Sequence, residues 1–213
     1  MKYYITTIFI LLLIFSCNND KNKNNDKNGD IMNNAEDSKD LFLNKEIIFK
    51  ELELDNNNYK NDNKYYIKNV DANFSPPINS IQLSEEEKNS VIEQTEYFKD
   101  YFYTDSLFID EKIKITCLVG YMEKDADKFN SFISLLRNMK DDDNIVSFME
   151  EYYILNGKKN IQFKINIDNA TYWFYVIFED KNGYYLILNY TFPISYLEDS
   201  IDRIANSLNS ITF

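Results

Sequence analysis

Two thiols, a few clustered carboxylates and an abundance of rings are the side chains able to do chemistry in this 213-residue sequence, because it contains no histidine. That absence removes the usual serine triads, His-ligated zinc and the group that titrates most readily near neutral pH. The thiols are Cys17 and Cys117. Cys117 lies in Ile113-Lys114-Ile115-Thr116-Cys117-Leu118-Val119, on the alternating face shared with Ile113, Ile115 and Val119, so it reads as a small buried hydrophobe and not a nucleophile. The pair Glu150-Glu151 would serve as acid or base only if burial raised a carboxyl pKa; an adjacent Glu pair is more often a solvated edge. Asp141-Asp142-Asp143-Asn144 lacks the alternating spacing, turn glycine and terminal glutamate of a calcium loop, so no metal is expected there. The glycines, Gly29, Gly120, Gly157 and Gly183, form no phosphate-cradling loop, and neither a nucleotide nor another cofactor is expected. Among the rings, Trp173, Tyr175 and Tyr185 are the candidates for a protein-binding hot spot. Packing beneath a helix is the other reading of the same three.

The stretch around Cys17 is more specific. Residues 1 to 17, MKYYITTIFILLLIFSC, have a positive charge at Lys2 and an uncharged run from Tyr3 to Phe15. This is the layout of a secretion signal. A helix over that run would be roughly 20 Å long, at about 1.5 Å per residue, too short for a hydrocarbon core of about 30 Å. Ile14-Phe15-Ser16-Cys17 resembles the lipobox of bacterial lipoproteins, with an aliphatic residue three before the Cys and a small one just before it. Phe15 departs from the tighter forms of that pattern. The resemblance implies that residues 1–16 are a removed signal peptide and that Cys17 becomes the lipidated first residue of the mature chain. Two or three acyl chains, such as palmitate, hold a protein on its membrane, since each buried methylene contributes about 0.8 kcal/mol. With Cys17 acylated, Cys117 has no partner and no disulfide is expected.

Residues 17–40 contain almost nothing apolar and read as a disordered Asn/Lys-rich tether, with an average reach of about 27 Å for a flexible chain. Residues 41–213 read as one α+β domain. Candidate strands at 45–54 and 64–70 precede a helix at 85–103, which Ser84 and Glu87 open as a capping box and which buries Val91, Phe98 and Phe102. A strand at 113–121 follows, then a helix opened by Asp125 with Phe129, Phe132, Ile133, Leu136 and Met139 on one face. Strands at 145–155, 160–168, 171–179 and 184–192 form a meander, with Asn156-Gly157 suited to a type I′ turn and Asn182-Gly183 to another short reversal. The strand at 160–168 alternates and should have one wet face near an edge. Those at 171–179 and 184–192 are apolar on both faces and need a covering layer on each side. Ser195 and Glu198 form a second capping box for a closing helix whose stripe is Leu197, Ile201, Ile204, Leu208 and Ile211.

That order of elements, carried by ITCLVGYM at 115–122, the helix at 126–140, YYLILNYTFP at 184–193 and IDRIANSLNSITF at 201–213, resembles the PsbP-like superfamily. The resemblance covers about the last hundred residues and implies an α-β-α sandwich serving as a non-catalytic binding or assembly module. No family site residue carries over. A cystatin-like or NTF2-like cone is the alternative fold, though it normally ends on a strand.

The formal charge of −12, from 35 acidic and 23 basic residues, argues against nucleic acid as a partner. The expected protein is a bacterial lipoprotein of the cell envelope, anchored to the inner or outer membrane, periplasmic or surface-facing, that binds a protein partner. A small apolar ligand-binding protein or NTF2-like enzyme is the alternative.

Overall fold

The computed structural model describes residues 40–54, 63–94 and 100–213. The expected signal peptide, Cys17 and all but the last residue of the expected tether lie outside them. That last residue, Asp40, accepts from the Phe42 amide at 3.0 Å and from the Tyr185 hydroxyl at 2.9 Å.

Ten strands are described: β1 (Lys50–Glu51), β2 (Tyr65–Ile67), β3 (Ala72–Phe74), β4 (Ile81–Gln82), β5 (Tyr103–Asp110), β6 (Ile115–Glu123), β7 (Ile145–Leu155), β8 (Lys158–Ile167), β9 (Thr171–Glu179) and β10 (Tyr184–Pro193). The helices are α1 (Glu85–Gln94), α2 (Ala126–Asn138) and α3 (Leu197–Asn209). Eight strands form one sheet in the order β1-β7-β8-β9-β10-β6-β5-β4, antiparallel except where β1 meets β7. The remaining two, β2 and β3, make a hairpin.

The meander follows from its residues. Asn156 and Gly157 both take positive φ, 52° and 72°, and let Leu155 pair directly with Lys158, as a two-residue type I′ loop requires. Both faces of β9 and β10 are apolar, and each face has its own core. On one side Val176, Phe178, Leu186, Leu188 and Tyr190 pack under α3 (Ile204, Leu208) and the hairpin (Ile67, Phe74). On the other, Tyr175, Ile177, Tyr185 and Ile187 pack under α2 (Phe129, Phe132, Ile133, Leu136) and Phe42. The result is the expected α+β arrangement, a meander-built antiparallel sheet with helices on both faces.

Several local expectations are corrected. Only Lys50 and Glu51 of the 45–54 stretch join the sheet, because Phe42 and Phe49 pin the preceding chain against the α2 side. The 64–70 stretch stops being a strand at Ile67, since a 3-10 turn and a left-handed Asp71 (φ 47°) turn it back into β3. Helix α1 is described to Gln94, whereas Phe102, assigned to it from periodicity, sits in the α2-side core just before β5. Phe98 lies outside the described residues. Strand β8 is third from the edge, and Asn160, Gln162 and Asn166 of its polar row are buried while Lys164 is half-buried: Asn160 donates to the Tyr153 carbonyl, Gln162 to Asn160 and Asn166 to Asn169. The Ser195–Glu198 capping box does not form: a 3-10 turn over Ile194–Tyr196 leads into α3, which has no side-chain cap. Ile201 is 53% exposed and leaves the α3 stripe.

A candidate docking face on the outer half of the meander

Two of the three ring candidates are too buried for a docking surface. Tyr175 and Tyr185 are 2% and 1% exposed. Helix α2 covers them, with Phe129 stacked on Tyr185 at 4.2 Å and Phe132 edge-on to Tyr175 at 6.2 Å between centroids. Both are core residues, and in this fold neither offers a contact surface. Trp173 is half-buried on the same face, perpendicular to Tyr175 at 6.4 Å. The position of Cys17 is outside the described residues. Cys117 is buried among the apolar side chains under α3, and burial pushes its thiol pKa well up, so it behaves as a hydrophobe.

The α3 side of the sheet is covered unevenly, and there the structure gathers Glu151 with residues the sequence did not single out. Residues directly opposite on neighbouring strands share a face. One such row runs Tyr190, Phe174, Lys164, Met149 across β10, β9, β8 and β7. Tyr190 is fully buried, Phe174 and Lys164 are half-buried, and Met149 is 45% exposed. The next row, Phe192, Tyr172, Asn166, Ser147, again starts at a buried ring; Tyr172 and Ser147 are half-buried. Stacked pairs Phe174–Tyr190 at 6.1 Å and Tyr172–Phe192 at 5.6 Å join each outer ring to a buried one. The face therefore runs from buried rings on β10 through half-buried rings on β9 to Lys164 on β8 and the exposed Met149 on β7.

A charge pair sits among those rings. Lys164 Nζ donates to Glu151 Oε2 at 2.6 Å, and the Tyr153 hydroxyl donates to Glu151 Oε1 at 2.8 Å. The ammonium also lies 5.9 Å from the Phe174 ring centre and 6.0 Å from that of Tyr153, within cation–π range. The Lys164 hydrogen bond, helped by Tyr153, holds the Glu151 carboxyl below the usual carboxylate range against the opposing effect of burial. That is the reverse of the raised carboxyl pKa a general acid needs. Tyr172 is pushed up by burial and by the nearby Glu151 charge. On the opposite face Glu150 is chelated by Arg137 of α2, Nε to Oε2 at 2.8 Å and Nη2 to Oε1 at 2.6 Å, and accepts from the Tyr152 hydroxyl. The two glutamates thus point to opposite sides, each committed to a cation and a phenol.

The backbone beside this face is also open. Outside β7, β1 pairs only with Tyr153 and Ile154, and Leu52 adds a bond to the Ile154 carbonyl at 2.9 Å. Among the described residues no strand pairs with the outer edge of Ile145–Tyr152. An edge of that kind presents free peptide groups to any extended chain. The arrangement can therefore do one thing well: hold a polypeptide by rings, one neutralised charge pair and a strand edge.

Asp141, Asp142 and Asp143 are exposed in the turn before β7, where the Asp142 carboxylate accepts from the Asn144 amide at 2.9 Å. Among the described residues no helix is long and apolar enough to cross a membrane.

No protein-family model matches the chain, and no curated protein matches it. Solved structures do match. One is the solution structure of cyanobacterial PsbP (CyanoP) from Synechocystis sp. PCC 6803, at 9% identity, covering 70% of this chain and 91% of that one with a TM-score of 0.47. The fold described above rests on the strand register and the two packed faces, and no residue role is taken from the likeness.

Proposed function

We propose that this chain is a bacterial envelope lipoprotein, anchored by acyl groups on Cys17, whose body is a non-catalytic module that binds a protein partner. The observation that carries the binding role is the exposure gradient from Tyr190 through Phe174 and Lys164 to Met149, beside a strand edge that, among the described residues, is paired at Tyr153 and Ile154 alone. Large aromatic residues contribute most to protein interfaces when they can be buried on docking, and Phe174, Tyr172 and Tyr153 are half-buried in advance. The signal-like leader and the Ile14-Phe15-Ser16-Cys17 motif support the anchor. Wild type is expected to take up labelled fatty acid and the Cys17→Ala variant to take up none; equal labelling refutes the anchor. For the binding role, a photo-crosslinking residue at Met149 is expected to give a discrete adduct in intact cells. The same residue at Tyr66, exposed on the β2–β3 hairpin, should give none. Identical products from both positions, or none from Met149, would count against the docking face.

A further inference from the structure

Two reversals of the meander carry the same dipeptide in different surroundings. Asn156-Gly157 joins β7 to β8, and Asn182-Gly183 lies between β9 and β10. In an Asn-Gly pair the side-chain amide is open to attack by the next backbone nitrogen, because glycine has no side chain to screen that nitrogen. Both glycines leave the approach clear: a Cβ built at Gly157 or Gly183 would meet no atom within 4 Å. All four residues are exposed to water. A third pair, Asn28-Gly29, lies outside the described residues.

What separates the two turns is the freedom of the asparagine. Asn156 Nδ2 donates to the Asn209 carbonyl at the end of α3 at 3.1 Å, so its amide is tied to another element. Its backbone is tied as well. Asn156 and Gly157 are the whole loop, both at positive φ, and Leu155 pairs with Lys158 across it, so rotating the peptide group between them undoes the hairpin. Asn182 sits in a longer reversal, with residues 180–184 between the paired Glu179 and Tyr185. The Lys181 and Asn182 amides donate to the Asp180 carboxylate, which holds the turn as far as the Asn182 nitrogen. Beyond that point the hold is slight. Gly183 is held through its carbonyl by the Lys124 amide at 2.8 Å, while the Asn182 side-chain amide and the Gly183 N–H have no hydrogen-bond partner among the described residues.

We infer that Asn182 is a self-modification site, converting to aspartate and isoaspartate in the folded chain while Asn156 keeps its amide. The Gly183 nitrogen bonds to Cγ of Asn182 and closes a cyclic imide. The Cγ–Nδ2 bond breaks, and the side-chain nitrogen leaves as ammonia with the proton lost from Gly183. Water then opens the imide at either carbonyl, so the step needs no oxidant, reductant or cofactor. Opening at one carbonyl gives aspartate; opening at the other gives isoaspartate, which lengthens the main chain between the Asp180-held nitrogen and the Lys124-held carbonyl. Either product adds a carboxylate beside Glu179 and Asp180. The site is independent of the lipid anchor and of the docking face.

The test holds the full chain in mildly alkaline buffer, folded or in urea, and follows the proteolytic peptides carrying positions 156 and 182 by mass spectrometry, with the Asn28-Gly29 peptide read separately. In the folded chain the amide at 182 is expected to be lost several-fold faster than that at 156, with isoaspartate among the products; in urea the two rates should converge. Equal loss at both positions in the folded chain, faster loss at 156, or an Asn182 that survives folded and converts only in urea would overturn the assignment. So would a difference that persists unchanged in urea, because sequence neighbours and not the fold would then set it.

Discussion

Arg203 and Asp110 make the most consequential single contact in the described body. Their side chains are 15% and 3% exposed, Arg203 also donates to the Ile78 carbonyl at 3.1 Å, and Asp110 accepts from the Lys112 amide at 2.8 Å. Arg203→Ala leaves a buried carboxylate without its cation, and such losses cost about 3–5 kcal/mol; a urea midpoint unchanged from wild type would contradict this. Gly120 is the site of closest approach: a Cβ there would lie 2.6 Å from Phe102 Cδ2 and 2.9 Å from the Tyr103 carbonyl. Gly120→Ala should lower stability by about 1–3 kcal/mol through overpacking, measured by the same denaturation. The pH profile follows from the phenols. Burial and hydrogen bonds to carboxylates push Tyr65 and Tyr152 up to about 12 from an ordinary 10. Folding therefore favours their neutral form, so this stabilisation is complete below about pH 10 and is lost as pH rises toward 12. With no histidine to titrate, the melting temperature should be flat from about pH 6 to 9 and fall above 10 together with tyrosinate absorbance. A fall centred near pH 7 would contradict the assignment. At this scale the sequence was legible for Cys117, whose alternation marks it as core. It was not legible for Tyr175 and Tyr185, because alternation separates two faces without saying which of them, and how much of each, a helix covers.

Helix starts give the clearest test of local reading against tertiary context. The Ser84–Glu87 capping box forms reciprocally: Ser84 N donates to Glu87 Oε2 at 3.0 Å and Glu87 N to Ser84 Oγ at 3.3 Å. Ser195–Glu198 has the same spelling and does not form, because Pro193 and the 3-10 turn place Tyr196 at the cap position. Ser84→Ala should cost about 1 kcal/mol and Ser195→Ala less than about 0.5; equal losses by thermal denaturation would refute the distinction. Strands were legible where one rule sufficed. The meander has strong β formers and Asn-Gly turns, and its expected boundaries differ from the observed ones by no more than two residues. Strand β5 was missed, because the spacing of Phe98 and Phe102 extends a helical pattern into it and the register shift between Thr104 and Ser106 breaks its alternation. The two-residue β1 was overestimated, since Phe49 just before it packs into the α2-side core, Ile48 is exposed and Leu54 packs on the α3 side.

The described body is a sheet clothed on both faces, with no described strand paired to the outer edge of β7 over Ile145–Tyr152. The architecture could be read from residues apolar on both faces of β9 and β10, which demand two covering layers. The row proposed for docking could not, because it depends on strand order: Tyr172 and Phe174 lie on the same strand face as the buried Val176 and Phe178, and the placement of β7 and β8 beyond them leaves them half-open. Replacing Met149 and Phe174 together by serine should weaken partner crosslinking from an engineered probe at Val146 by at least several-fold, while Cys17 lipidation is unaffected. The proposed envelope anchor depends on that lipidation. Intact mass spectrometry of the protein extracted from native membranes should give a chain beginning at Cys17 and carrying a diacylglycerol thioether with an added acyl group. A chain beginning at Met1 with an unmodified Cys17 thiol would contradict it.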